Sequence, residues 1–235
     1  MKKRRMFFFG VILFVLTGCQ PSAFGGESII EWVDFIKLQG IEYNGIYSGV
    51  LADEHDIGEK IGTVNFRVAD NVTNANYKIK DGDAAFHEKG TEIFQVKDQP
   101  HLIAVKDAHA INGYQVYFSR DDLDYQWHFK DMPIEKVKLI EIYQSVPAEK
   151  DTLIAKLTKS EDVNTFLQLL VESEENPNFQ PNSEKGDPLF YEMVFYTEDP
   201  IAYKFTMQFD GNTYYWYPWD TSILSDEIQL FMNGN

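Results

Sequence analysis

The sequence predicts an α+β fold in which a small antiparallel β domain (29–119) is followed by a ββαβββα domain (137–235). Apolar side chains alternate along Ile61–Ala69, which is the period of a half-buried strand. Ser160–Ser173 has apolar residues at helical spacing, and the acidic, irregular segment 120–136 separates the two patterns. We therefore expect helices on one face of an antiparallel sheet in the second domain.

In the first half, β-branched and aromatic runs predict short strands at Ser28–Lys37, Ile61–Ala69, Thr91–Lys97, Leu102–Val105 and Tyr114–Phe118. The spacing of Ser28–Lys37 fits a helix almost as well, and a strand is the prediction adopted. Asn112-Gly113 predicts a tight hairpin turn, because both of its central residues tolerate a positive φ.

In the second half, similar runs predict strands at Val137–Tyr143, Leu153–Leu157, Phe190–Thr197, Ile201–Phe209 and Thr213–Tyr217. Ser160 is the predicted cap of the helix that lies between the second and third of these strands. The proline-rich stretch Asn176–Pro188 predicts a surface loop, and Ser225–Met232 predicts a short terminal helix.

The N-terminus combines a basic cluster at 2–5, an apolar run of eleven residues at 6–16, and the string Leu16-Thr17-Gly18-Cys19. A membrane-spanning helix needs roughly 20 apolar residues, so this run is too short to be one. The string resembles the lipobox of bacterial lipoproteins. That resemblance implies a signal peptide at 1–18, a diacylglycerol on Cys19 and a lipidated tether at 19–28. The expected location is the outer face of the cytoplasmic membrane.

The charge of the chain is strongly acidic, with 21 Lys and Arg against 37 Asp and Glu. Loss of the leader would reduce the basic residues to 17 and bring the net charge to −20. Such a surface repels nucleic acid and anionic lipid headgroups, so no nucleic-acid partner is expected. Cys19 is the only cysteine, and its lipidation would leave no thiol for a disulfide.

No cofactor and no metal are predicted. The five histidines lack metal-ligand spacing, and Thr91 stands where a zinc-protease motif starting at His87-Glu88 needs its second histidine. The acidic strings 53–56 and 121–124 lack the order of an EF-hand, so we interpret them as solvated loops rather than calcium sites. Nucleotide-binding and serine-hydrolase motifs are also absent from the sequence.

The string Tyr214-Tyr215-Trp216-Tyr217-Pro218-Trp219-Asp220 is the most unusual in the chain. In a strand its alternate rings face opposite sides, so one set belongs to the core. The other set is either a domain interface or a surface that stacks on sugars or peptides. The predicted partner or ligand face is therefore formed by Trp216, Trp219, Tyr215 and Tyr217.

Three segments, Trp32–Lys37, Lys80–Phe86 and Tyr215–Thr221, resemble small uncharacterised lipoproteins of spore-forming Gram-positive bacteria. That family has no established activity, so the resemblance implies no site. The first hypothesis is a membrane-anchored, non-catalytic binding or accessory module for an envelope protein or polymer. The alternative is an envelope hydrolase or transferase that uses a carboxylate pair such as Asp81 and Asp83, which lie at a predicted exposed turn.

We expect the Cys19→Ala variant to lose its acyl label and to accumulate as an uncleaved or aberrantly processed precursor. The reason is that the only thiol in the chain completes the lipobox. Metabolic labelling with a fatty-acid analogue measures the effect. Equal labelling of the wild type and the variant would contradict the lipoprotein interpretation.

Overall fold

The computed structural model describes residues 30–184 and 186–232. The leader, Cys19 and the tether therefore lie outside the described residues. The chain divides into two compact units, and the larger comprises Glu31–Asn71 and Lys78–Asn235. Ile30 and Val72–Tyr77 are the described part of the other unit, where the Tyr77 amide donates to the Asn74 carbonyl (2.9 Å).

The first sheet has eight strands in the order β4-β7-β8-β9-β2-β1-β6-β5, and only the β5–β6 pair is parallel. Its strands are β1 (Phe35–Leu38), β2 (Ile41–Gly45), β4 (Ile57–Thr63), β5 (Phe66–Arg67), β6 (Asp83–Ala84), β7 (Glu92–Val96), β8 (Gln99–Lys106) and β9 (Tyr114–Ser119).

The second sheet is antiparallel and runs in the order β11-β10-β13-β14-β15-β16-β12. Its strands are β10 (Leu139–Ser145), β11 (Thr152–Leu157), β12 (Glu174–Glu175), β13 (Leu189–Tyr196), β14 (Ile201–Phe209), β15 (Tyr214–Trp216) and β16 (Ser222–Ile223). An eighth strand, β3 (Gly49–Leu51), comes from the first half of the chain and pairs with Ile201–Tyr203 of β14.

In the part of the chain that the structure describes, the α-helix is α1 (Ser160–Val171), which packs on the second sheet. Its buried side chains recur at helical spacing and join the same core as the strands: Val163, Phe166, Leu167, Leu169 and Leu170. Short 3-10 helices lie at Glu54–Asp56, Ile111–Gly113, Phe129–Asp131, Ile134–Lys136 and Asp226–Phe231.

The larger core contains side chains from both sheets and from α1. Leu102 and Ala104 of β8 point into it, whereas Ile103 and Val105 belong to a smaller core on the opposite face of the first sheet. Successive strand residues face opposite sides, so β8 is buried on both faces. This explains why the second half of β8, Leu102–Val105, is a continuous apolar run with no alternation.

The broad α+β prediction is confirmed, with antiparallel sheets that make the described chain mostly β. The bounds predicted for Ile201–Phe209 are those of β14, and α1 lies inside the predicted Ser160–Ser173. The terminal helix is a 3-10 helix at Asp226–Phe231 whose cap, Ser225, accepts a hydrogen bond from the Glu227 amide. The second half also contains β12 and β16, which are only two residues long.

The prediction of a single strand at Ser28–Lys37 was wrong for its described part, because β1 begins only at Phe35. Ile61–Ala69 is likewise divided between β4 and β5. Val64 and Val68 are nevertheless buried, as their alternation predicted.

Two local predictions need correction. Ser160 does not cap α1, since the N-cap residue is Lys159 and it makes no side-chain hydrogen bond there. Asn112 and Gly113 do have positive φ values of 59° and 81°. They nevertheless end a loop that begins at Asp107, instead of forming a two-residue hairpin turn.

The segment 120–136, predicted as a linker, contributes Trp127 and Met132 to the larger core. The residues before and after this segment belong to the same larger unit. Most strands of the first sheet nevertheless precede the segment, and most strands of the second sheet follow it. The division into domains at 29–119 and 137–235 stays a prediction.

Trp216 is fully buried at the centre of the larger core, where its Nε1 donates to the Ser173 hydroxyl (3.0 Å). We expect Trp216→Ala to lower the free energy of unfolding by roughly 3–5 kcal/mol, because it leaves a large cavity. Trp219→Ala should change it by no more than about 0.5 kcal/mol, because Trp219 is 86% exposed. Urea unfolding of both variants measures the contrast, and equal losses would contradict the assignment of Trp216 to the core.

Candidate binding face on the second sheet

The structure separates the four aromatic residues predicted as a partner face. Trp216 and Tyr215 are buried on opposite sides of β15. Tyr217 is 49% exposed and Trp219 is more exposed still. Only these last two side chains are therefore accessible to a partner, and Trp216 and Tyr215 serve the packing of the sheet.

Tyr215 and Tyr217 belong to the face of the second sheet that lies opposite α1. Cross-strand register places Phe190, Gln208 and Tyr215 in one row. Tyr143, Glu192 and Thr206 form the next row on the same face. We call the part of this face formed by Phe190, Glu192, Thr206, Gln208 and Tyr217 the open face.

Hydrogen bonds fix the polar groups of the open face. The Thr206 hydroxyl lies 3.1 and 3.2 Å from the two carboxylate oxygens of Glu192. The Tyr215 hydroxyl lies 2.9 Å from Oε1 of Gln208. Burial raises the pKa of Glu192, and Lys204 and the Thr206 hydrogen bond oppose this rise only in part. The face thus presents oriented amide and carboxyl groups held on rigid strands.

Aromatic side chains border these polar groups. Phe179, from the loop 176–188, packs against Tyr215 with ring centroids 4.9 Å apart. Tyr215 in turn meets Tyr217 edge-on at 6.0 Å. Phe190 is exposed at the start of β13, two strands away from Tyr215. Aromatic rings therefore border the polar groups on both sides, and Phe190 and Tyr217 are exposed to solvent.

The remainder of this sheet face is closed by the first half of the chain. Ile111 packs with Val194 and Ala202 in a small buried cluster. Beside it, Glu141 is buried and accepts hydrogen bonds from Tyr143 (2.6 Å), Tyr196 (2.7 Å) and Lys156 (2.8 Å).

Burial favours a higher pKa for Glu141, but the three hydrogen bonds and the Lys156 charge outweigh burial and hold the pKa below its usual value. The Asn112 amide donates to Tyr196 (3.1 Å) and to the Leu51 carbonyl (2.9 Å), which ties this network to β3. The network joins elements of both sheets and is structural in character.

A second buried carboxylate, Asp34, lies in the first half of the chain. Tyr117 donates to it at 3.0 Å and Tyr47 at 3.2 Å, and His87 Nε2 lies 2.6 Å from the Tyr117 hydroxyl. Since the Tyr117 proton points to Asp34, His87 donates from Nε2. A Cβ added to Gly45 would meet Asp34 Oδ2 at 2.7 Å, so only glycine fits beside the carboxylate.

The carboxylate pair of the enzymatic alternative does not have the exposure that the sequence predicted. Asp83 is buried at the start of β6, and its Oδ2 accepts the Lys80 amide (2.8 Å). Exposed Asp81 accepts the Gly40 amide (2.8 Å). Both groups hold backbone in place around the turn at Gly82, whose φ is +88°.

Asp34, Asp81 and Asp83 do not line the cavities of about 580, 230 and 360 Å³ in the described residues. Asp53 and Asp122, from the two acidic loops, accept hydrogen bonds from the His55 amide (2.8 Å) and the Ser119 hydroxyl (2.7 Å). Among residues 30–184 and 186–232, no group of three or more His, Cys, Asp or Glu is arranged to hold a metal ion.

Of the open face, sequence reasoning identified Tyr217 and missed Phe190 and the three polar residues, although a signal for them was present. Glu192, Thr206 and Gln208 occupy alternate positions of strands that were predicted, opposite the buried Met193 and Met207. The Asp34 network had no such signal, because Asp34, Tyr47 and His87 lie outside the strands and meet Tyr117 of β9 only through tertiary contacts.

The chain matches no protein-family model, no curated protein and no solved structure. Within the described residues, no helix has the length and apolar character needed to cross a membrane.

The Asp34 network predicts a pH-dependent stability. Burial lowers the pKa of His87, so the unfolded chain binds the proton more readily and stability falls as the pH drops below about 6.5. Burial also raises the pKa of Asp34 above the usual 3.8, so protonation of Asp34 favours the folded state as the pH falls and opposes the His87 effect. A variant without the imidazole isolates the His87 contribution.

We expect His87→Gln, which retains a donor for Tyr117, to lose less stability than the wild type between pH values of about 7.5 and 5.5. Urea unfolding at both pH values measures the difference, and His109→Gln, an exposed-loop variant, is the control. Parallel pH profiles for the wild type and His87→Gln would exclude a role for His87.

Proposed function

We propose that the protein is a lipid-anchored lipoprotein at the outer face of the cytoplasmic membrane. In this proposal it acts as a non-catalytic binding module for an envelope polymer. The single observation behind the binding role is the open face, where exposed rings flank polar groups on rigid strands. The anchor rests on the lipobox that ends at Cys19.

A glycan suits this face because a sugar presents both an apolar ring surface and a dense set of hydroxyl groups. Phe190 and Tyr217 offer ring surfaces for stacking. Gln208 and Glu192 lie between them and offer hydrogen-bond acceptors and an amide donor. Rigid strands keep these groups in place, which reduces the entropy lost on binding.

The proposal also includes the kind of polymer surface that the acidic charge favours and the arrangement of elements in the second domain. A net charge of −20 after maturation favours a neutral or basic surface of the polymer over anionic lipid. We retain ββαβββα as the arrangement of 137–235, in which β13 and β14 carry most of the open face and α1 packs on the opposite side of the sheet. The hydrolase or transferase alternative receives no support from the positions of Asp81 and Asp83.

Binding of the full mature chain to purified cell-wall sacculi tests the proposal. We expect Phe190→Ala and Tyr217→Ala each to weaken binding by about fivefold or more, as truncation of a stacking ring does at a binding hot spot. Co-sedimentation with sacculi, with and without their attached polysaccharide, measures the affinity.

Val171→Ala is the matched control, since Val171 is exposed on α1, away from the open face. It should bind like the wild type. Unchanged binding of both ring variants, with their melting temperatures intact, would exclude the open face. Binding of an envelope protein in place of sacculi, lost in the same variants, would keep the face and replace the polymer by a protein.

A further inference from the structure

A cavity of about 360 Å³ lies where the loop 107–113 meets the second sheet. Ile111 and Asn112 of this loop line it, together with Lys150 and Asp151 from the connection between β10 and β11, and Tyr143 of β10. Its volume falls within the range of roughly 300–1,000 Å³ that is usual for small-ligand sites. The cavity therefore has room for a sugar substituent or for a whole sugar ring.

The cavity adjoins the open face. Tyr143 stands opposite Glu192 of the open face in the register of β10 and β13, and such neighbouring strands lie about 4.8 Å apart. Phe190 is opposite Ser145, which makes it the diagonal neighbour of Tyr143 at a separation of roughly 7–8 Å. The charge of Asp151 also acts on Glu192 and contributes to the raised pKa of that carboxyl group. One glycan chain can thus contact the open face and reach into the cavity.

Asn112, which lines the cavity, has a free acceptor. Its Nδ2 donates to the Leu51 carbonyl (2.9 Å) and to the Tyr196 hydroxyl (3.1 Å), and these hydrogen bonds fix the orientation of the amide. Its Oδ1 has no hydrogen-bond partner among residues 30–184 and 186–232. An oxygen held in this way accepts from a ligand N–H or O–H, and it disfavours a carboxylate, which has no proton to donate.

Charges of both signs line the cavity, namely those of Lys150 and Asp151, and His109 lies beside them. Further charged groups of both signs contact or adjoin the lining residues: Asp107, Glu141, Glu149, Lys156, Glu192 and Lys204. Lys156 pairs with Glu141 (2.8 Å), and the charge of Lys204 acts on Glu192. An ammonium group in the cavity would therefore meet Lys150, and a carboxylate would meet Asp151. An uncharged substituent avoids both repulsions.

We propose that the cavity binds the acetamido group of an N-acetylated amino sugar in the glycan that contacts the open face. The N–H of this group donates to Asn112 Oδ1, and its carbonyl oxygen accepts from the Lys150 ammonium. Its methyl group packs against Ile111 and Tyr143. A hydroxyl group in its place leaves the apolar part of the cavity unfilled. The inference rests on the glycan binding proposed above and names the class of sugar that the site selects.

Three β-1,4-linked tetrasaccharides that differ only in the substituent at C2 test this inference. Glucose carries a hydroxyl group, glucosamine an ammonium group and N-acetylglucosamine an acetamido group. Each is titrated into the full mature chain by calorimetry, at a pH that keeps the amine protonated and at about 0.3 M salt, which screens charges more than ~6 Å apart. We expect the acetylated ligand to bind at least about tenfold more tightly than the glucose ligand, because it adds hydrogen bonds and a buried methyl group.

Charge reversal in the cavity should change the affinities of two ligands in opposite directions. Lys150→Glu should weaken the acetylated ligand by about threefold or more, because the donor to its carbonyl oxygen is lost. The same variant should strengthen the glucosamine ligand by about threefold or more, because its ammonium group then meets a carboxylate. A folding defect cannot produce opposite changes. Lys130→Glu makes the same charge change at an exposed site that does not line the cavity, and it should keep the ratio of the two affinities within about twofold of the wild type.

Equal affinity for the glucose and N-acetylglucosamine ligands would overturn the inference, and weakening of both by Tyr217→Ala would then leave the open face standing without the cavity. Equal effects of Lys150→Glu and Lys130→Glu would also overturn it, since they would show a general charge effect. Absence of binding of all three ligands at ~10 mM would overturn the proposed glycan as well. An acetyl preference that is lost in Lys150→Glu but unaffected by Phe190→Ala and Tyr217→Ala would support the cavity and exclude the open face.

Discussion

The arrangement of the second sheet depends on two strands, β3 and β15, that both pair with the same strand, β14. Its first residues, Ile201–Tyr203, pair with β3 from the first half of the chain, and its last residues, Met207–Phe209, pair with β15. A strand edge can accept one partner at each point, so β3 and β15 divide this edge between them. The β3 half of the sheet face is closed by Ile111, while the face beside β15 stays open at Thr206 and Gln208. A long-range pairing thus decides which residues a ligand can reach.

Burial of a carboxylate without hydrogen-bond donors would destabilise this acidic chain, and the structure provides such donors for its buried carboxylates. Asp34 and Glu141 are both buried, and each is surrounded by tyrosine hydroxyls. Asp210 is buried at a turn and accepts three backbone amides, those of Asn182, Asn212 and Thr213. A buried carboxylate is tolerated when its oxygens are satisfied, and removal of a single donor is costly. These groups hold loops and sheets together.

The local periodicity in the sequence predicted the elements that the core enforces. β14 and α1 have strong patterns because one face of each is buried, so their positions followed from spacing alone. Ser160 failed as a cap because a cap depends on one backbone angle, which spacing does not encode. The burial of Asp83 likewise depends on the neighbouring β1, whose pairing with β6 is a tertiary contact. Of the open face, only Tyr217 could be predicted, because it belongs to the aromatic string, whereas Phe190 and the polar groups resembled an ordinary solvated strand face.

The two sheets differ in how far their faces are covered. In the first sheet, β8 and β9 are buried on both faces, whereas the second sheet has a helix on one face only. The difference does not lie in the edges, because the first sheet ends on one side in β4, which is seven residues long, and the second ends in β11, which is six. A sheet that is covered on both faces has no accessible side chains in its middle strands, whereas a half-covered sheet keeps those of one face. The first half of the chain closes part of that face of the second sheet, and the part left uncovered is the open face on which the proposed binding role rests.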